Sequence, residues 1–273
     1  MTGKFADADV DGRVLRYICS GEGTPAVVVD QGQGLSIERG FQRHEKFGWA
    51  KVFAEIQKAT RILMHDRAGL GASNVADGPR AAAEMVQDLR AVLSAAHVQP
   101  PYVLVGHSIG GFNVRQFAAR FPSEVAGVVL VESSHPDQMA RMTKVLPAES
   151  PDEPLLLKGF RIGLDPASSS EKIDFNQSAT QARALTTLGF TPLVVVSQSP
   201  RAFGPPGIPH DVWEKMRLVW SDLQKDLLAL SSNSRQVVAG HAGHNVQAEE
   251  PQLVIDAILE VVNEVRAGAV RVH

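Results

Sequence analysis

Short runs of Val, Leu and Ile alternate along this chain with stretches of helical periodicity, and that alternation limits the folds open to it. VLRYIC (14–19), AVVVDQG (26–32), RILMHD (61–66), PPYVLVG (100–106), VAGVVLVES (125–133), TPLVVVSQS (191–199) and SRQVVAGHAGH (234–244) read as strands. Gly21, Gly23 and Pro25 mark a turn joining the first two. Between strands, Trp49, Val52, Phe53 and Ile56 share a helical face, as do Ala82, Met85, Val86, Leu89, Leu93 and Ala96. A further helix turns Ile109, Phe112, Phe117 and Phe121 inward, and the last begins near Pro251 and carries Val254, Ile255, Ile258, Leu259 and Val262. Strand–helix alternation implies parallel pairing through right-handed crossovers. Apolar runs without polar interruption imply strands covered on both faces. Residues 134–190 break the rhythm: they are rich in Pro, Ser, Asp and Glu, with one candidate helix at Ala179–Leu188, and read as an insertion over one end of the sheet.

At 273 residues and 44% hydrophobic, the chain can form a large core without covalent staples. A net charge of −3 provides no basic footprint for nucleic acid. Cys19 has no cysteine partner, which suits a reducing compartment. The opening MTGKFADADVDGR lacks the apolar stretch of a signal peptide, and no apolar run reaches the 18 or so residues of a membrane span. The expectation is a cytoplasmic protein with no membrane span and no nucleic-acid partner.

The segment VLVGHSIGG (103–111) is a buried strand running into Gly-His-Ser-Ile-Gly and then a helix. In an open α/β sheet, ligands bind beyond the carboxyl ends of the strands. A sharp strand-to-helix turn forces Ser108 into a strained backbone conformation. Gly106 and Gly110 remove the clashes of that turn, so the hydroxyl projects outward beside the free N–H groups of the helix start. The bland alternative is a Gly-rich turn whose serine caps a helix; the strand before and the helix after favour a nucleophile. A serine hydroxyl needs a base. His107, adjacent on the turn, points elsewhere and reads as structural. His244, in the loop after the last strand, is the preferred base, and His241 is its competitor. As an H-x-x-H pair, His241 and His244 make a poor zinc site without further ligands, and no phosphate-binding glycine pattern is present.

VVVDQGQG, MHDRAGLGAS, YVLVGHSIGG and AGHNVQAEEP, in this order and spacing, resemble the α/β-hydrolase family over nearly the whole chain. The resemblance implies α/β architecture with an eight-stranded, mostly parallel sheet, helices on both faces and a cap insertion. Residues 1–133 and 191–273 would form the core and 134–190 the cap, or lid. Where the family often has His-Gly after its third strand, this chain has Gln31-Gly32. The oxyanion donors would be the backbone N–H groups of Gln33 and Ile109, and a backbone donor tolerates the side-chain change. The nucleophile is Ser rather than the Asp of members that open epoxides or remove halide, which points to acyl transfer to water.

The third group needed is an acid that orients the histidine. Many family members carry it after the seventh strand, but LVVVSQS ends in Ser197, Gln198 and Ser199. Glu132 ends the sixth strand, where some members place their acid, and an ionised acid after four apolar residues needs a partner. Glu132 is therefore preferred; Asp137 and Asp211 remain open and Asp222 is more remote. His44 and His65 read as structural histidines, and His135 as a loop residue. Trp213, Met216 and Trp220 lie at helical spacing and read by default as packing, with a pocket wall as the other reading.

These residues together predict a serine hydrolase for a carboxylic ester or lactone that uses Ser108, His244 and Glu132 and needs no cofactor or metal. Cleavage of a carbon–carbon bond, or acyl transfer to an acceptor other than water, would use the same groups. A reading of another class is a non-catalytic small-molecule binding or sensing module.

Overall fold

A computed structural model describes residues 4–42, 48–162 and 165–270; His44 lies outside the described residues. In chain order the first half carries β1 (Lys4–Val10), β2 (Arg13–Ser20), β3 (Ala26–Asp30), α1 (Ile37–Gln42), α2 (Ala50–Ala59), β4 (Ile62–His65), α3 (Ala82–Ala95), β5 (Tyr102–His107) and α4 (Gly110–Arg120). The second half carries β6 (Val125–Val131), α5 (Gln138–Thr143), α6 (Leu155–Ile162), α7 (Phe175–Ala182), β7 (Leu193–Ser197), α8 (His210–Asp226), β8 (Ser234–Val238), α9 (Val246–Glu249) and α10 (Pro251–Val270).

The strands form one eight-stranded sheet in the order β1-β2-β4-β3-β5-β6-β7-β8, parallel from β4 to β8. β1 pairs antiparallel with β2, and β2 antiparallel with β4. Three sequence readings change. KFADADV is a strand, although its Asp residues hide it; Asp11 and Gly12, both at positive φ (53° and 77°), turn it back onto β2 as Asp-Gly turns do. Also, β2 and β3 are consecutive but not paired, because β4 inserts between them. The helix expected at Ala179–Leu188 instead spans Phe175–Ala182, opened by the Asp174 side chain accepting from Gln177 N–H.

β3 to β7 are buried along their length, and side-chain alternation sends their residues to two cores. Val27, Val29, Val103, Val105, Val129 and Val131 meet α2 and α10 through Val52, Phe53, Ile56, Val254, Ile258 and Val261. Val28, Leu104, Val128 and Leu130 meet α3 and α4 through Leu89, Leu93, Val114 and Phe117. β8 is the sheet edge and is only half-buried. A separate apolar cluster joins α5, α6 and α8 through Met142, Leu157, Val212, Met216, Trp220 and Leu223. α8 thus packs with the helices of the 134–190 segment, which lies between β6 and β7.

Candidate active site

β5 ends directly before Ser108, whose φ of 54° lies in the left-handed region that non-glycine residues avoid. The close approaches that the turn needs are measurable. A Cβ on Gly106 would sit 2.8 Å from Gly111 Cα, and one on Gly110 would sit 2.1 Å from the Asp30 carbonyl oxygen. The Ser108 carbonyl accepts from Gly111 N–H (3.0 Å) and Ser134 N–H (2.9 Å), which ties the turn to the chain leaving β6. Ser108 faces a cavity of about 370 Å³ that is also lined by Gln33, Ile109, Glu132 and His244.

β6 delivers Glu132 in the same way as β5 delivers Ser108, on a residue at positive φ (44°). Glu132 is wholly buried, and three donors surround its carboxylate. Gln198 N–H donates to Oε1 at 2.7 Å, Trp220 Nε1–H donates to Oε2 at 2.8 Å, and His244 Nδ1 lies 3.3 Å from Oε2. The other acids weighed from sequence lie elsewhere. Asp137 pairs with Arg183, Asp211 with Lys215 and Asp222 with Lys225, all with exposed side chains. His241 is 80% exposed and lies against Glu250. Of these candidates, Glu132 and His244 are the acid and base brought together beside Ser108.

The loop carrying His244 is pinned from two sides. Glu250 accepts the N–H groups of Gly240, His241 and Ala242, and Glu249 accepts that of Gly243. From below, His107 Nε2–H donates to the His244 carbonyl at 3.0 Å. Burial, reinforced by the neighbouring His244, pushes the His107 pKa down to about 3, so it stays a neutral structural donor. His65, fully buried in β4, has neither ring nitrogen hydrogen-bonded among the described residues, and burial lowers its pKa. His135 is buried rather than a solvated loop residue; it accepts Asp137 N–H at Nδ1, and burial lowers its pKa to about 4.

Among the described residues, neither Gln33 N–H nor Ile109 N–H donates to a protein acceptor, and both residues line the cavity. A buried ionic cluster holds the Gln33 loop. Arg67 donates to Asp30 Oδ1 (2.5 Å), to the carbonyls of Gln31 (2.6 Å) and Gly32 (2.9 Å), and to Glu171 Oε1 (2.8 Å). Glu171 in turn accepts Gly34 N–H at 2.6 Å, and Asn113 donates to Asp30 Oδ2 at 3.0 Å. Burial disfavours the Arg67 charge, but the Glu171 and Asp30 carboxylates outweigh it and keep Arg67 protonated. Arg67, in the HDRAGLGAS turn, and Glu171, from the 134–190 segment, are therefore tied to the site. Sequence alone offered no signal for this pairing of residues 104 positions apart.

Asp66 beside this cluster gives a pH-dependent expectation. Its Oδ1 accepts Ile37 N–H at 2.7 Å while Oδ2 has no partner among the described residues, and burial raises its pKa to about 6. A carboxyl raised above its unfolded value of about 3.9 costs nothing below that pH. The cost develops as pH rises and is complete above about 6. Asp66→Asn keeps the acceptor for Ile37 and removes the charge. Denaturant titration is expected to show it about 1–3 kcal/mol more stable than the parent at pH 8, with the gain vanishing near pH 4. An equal gain at both pH values would assign the effect to packing.

Met139, Met142, Phe160, Phe175, Trp213 and Met216 are among the remaining wall residues. Met216 and Trp220 thus serve both as packing and as wall, while Trp213 is a half-buried wall residue. Helical spacing could not show which side of α8 faced the space above Ser108. Among the described residues no cluster of three or more His, Cys, Asp or Glu could hold a metal ion, and no helix is long and apolar enough to cross a membrane.

A family model of the alpha/beta hydrolase fold matches residues 40–203, and the chain belongs to this family. Among its relatives, the uncharacterized protein YqjL of Bacillus subtilis is 28% identical over 241 residues, spanning 86% of this chain and 82% of that one. A thermophilic esterase from Thermogutta terrifontis superposes with a TM-score of 0.64 at 19% identity, covering 96% of this chain and 99% of the esterase. A haloalkane dehalogenase loop variant, DbeA-M1 of Bradyrhizobium elkanii, reaches 0.68 at 14% identity, covering 99% and 100%. At such identities the structural likeness carries the fold and no particular reaction.

Proposed function

We propose that the protein is a serine hydrolase that cleaves a carboxylic ester or lactone of a small, partly apolar substrate. The observation that carries this reading is the His244 Nδ1–Glu132 Oε2 approach at 3.3 Å beside a strained serine in one cavity. Glu132 accepts from Nδ1–H and so leaves Nε2 as the free base of the ring. His244 takes the proton of Ser108 as its oxygen attacks the carbonyl carbon. The N–H groups of Gln33 and Ile109 hold the developing oxyanion. His244 returns the proton to the leaving alcohol, and water, activated by the same imidazole, releases the acid from Ser108. Every step is a proton or acyl transfer, so no cofactor is needed.

Residues 134–190 act with α8 as a cap over this centre. Their apolar side chains favour an aliphatic or aromatic acyl or alcohol group. The test is a panel of p-nitrophenyl esters, lactones, amides and diketones, run beside labelling with a fluorophosphonate. Ester or lactone turnover, with label on Ser108, is expected. Diketone cleavage alone would assign the groups to carbon–carbon hydrolysis. A ligand that raises the melting temperature without product or label would favour a binding module.

A further inference from the structure

Trp220 touches every part of the acid–base pair without belonging to it. Its Nε1–H donates to Glu132 Oε2, the same oxygen that His244 Nδ1 approaches. Its ring stands edge-on to the His244 ring, with centroids 6.0 Å apart and planes at 70°. It also lines two cavities, the apolar one above Ser108 and a chamber of about 60 Å³ that Glu132 itself lines together with the polar groups of Ser197, Ser199, Gln224 and Gln236. A space of that size among polar groups can admit water, and water beside Glu132 would compete with His244 for its oxygens.

We propose that Trp220 is the positioning residue of the acid–base pair: its indole N–H holds Glu132 toward His244, and its ring seals His244 from the chamber that Glu132 itself lines. The need for it follows from geometry. Glu132 has a longer side chain than an aspartate, and Gln198 N–H fixes Oε1 only. Without the indole, His244 Nδ1 at 3.3 Å is the remaining partner of Oε2 among the described residues, and the carboxylate can turn away from it about its terminal torsion. The inference rests on the hydrolase reading above for its kinetic part alone.

Lys225, which lines the chamber beside Glu132, is paired with Asp222 at 3.1 Å. His107, 5.0 Å from the His244 ring, is kept neutral by burial, and Arg217, which lines both cavities, is paired with Glu214. Loss of the indole donor therefore acts on Glu132. A carboxylate that turns away from Nδ1 stabilises the imidazolium less, so the ring gives up its proton at lower pH.

Trp220→Phe keeps an aromatic seal and removes the N–H. The acid limb of its kcat/KM profile is expected to move to lower pH by about 0.5 unit or more, with the plateau about 3-fold lower or more because the imidazole is no longer held in line. Trp213→Phe is the comparison, since Trp213 Nε1–H donates to the Ala202 carbonyl instead; it should alter KM and leave the limb in place. Ring-proton NMR titration of His244, assigned by its loss in His244→Gln, reads the same effect without turnover. A His244 titration that stays in place or moves up in folded Trp220→Phe overturns the proposal whatever the substrate. A lowered titration in a protein that cleaves no ester keeps it and overturns the hydrolase reading instead.

Discussion

Ester hydrolysis is expected to fall about 10⁵-fold in Ser108→Ala, to a residue sustained by the oxyanion donors and binding alone. The size of the loss follows from the proposed mechanism, in which His244 and Glu132 have nothing to activate without an attacking oxygen. Stability should barely change, because alanine at φ 54° carries the same backbone strain as serine. Ser108→Gly separates the two effects. It loses the same activity but relieves the strain, and is expected to gain about 1 kcal/mol, or roughly 2–4 °C in melting temperature. Full turnover in Ser108→Ala would remove Ser108 from the chemistry. A Gly variant no more stable than the Ala variant would show that the elbow stores no strain.

The second large effect is acid lability from histidines buried without charge. Burial holds His107 down to a pKa of about 3 and His135 to about 4, and lowers that of fully buried His65. A histidine whose folded pKa lies below its unfolded value of about 6.5 stabilises the fold above that pH. The contribution is lost as pH falls toward the folded value, because the unfolded chain takes up a proton that the native one refuses. For His107 alone the loss by pH 4 is about 3 kcal/mol. His65 and His135 add to it, while protonation of Asp66 opposes it by up to about 3 kcal/mol over the same range. The melting temperature is expected to drop by about 10 °C between pH 7 and pH 4.5, most steeply below 6.5. A flat profile across that window would mean that these rings are protonated in the native state.

Much of the frame was legible because it is written locally. Val and Leu runs at Ala26–Asp30, Tyr102–His107 and Val125–Val131 become strands wherever they are covered, and the spacing through Leu89 and Leu93 makes a helix face without reference to the rest of the chain. The same local logic placed Gly106 and Gly110 around Ser108, because a turn's clashes involve neighbours in sequence. It failed at Lys4–Val10, where Asp7 and Asp9 face outward on an edge strand and hide its period. It also failed at strand order, since nothing in β2 or β3 announces that β4 will lie between them.

The sequence by itself determined the alternating α/β frame, the serine elbow and the short set of acids and bases within reach of chemistry. Tertiary structure alone decided that Glu132 rather than Asp137 or Asp211 faces His244, that α8 turns Trp220 onto that carboxylate, and that Glu171 reaches back to Arg67. The reason is physical. Periodicity and turn sterics act within a few residues, whereas a hydrogen bond between residues 66 to 112 positions apart exists only once the sheet register and the helix packing are set.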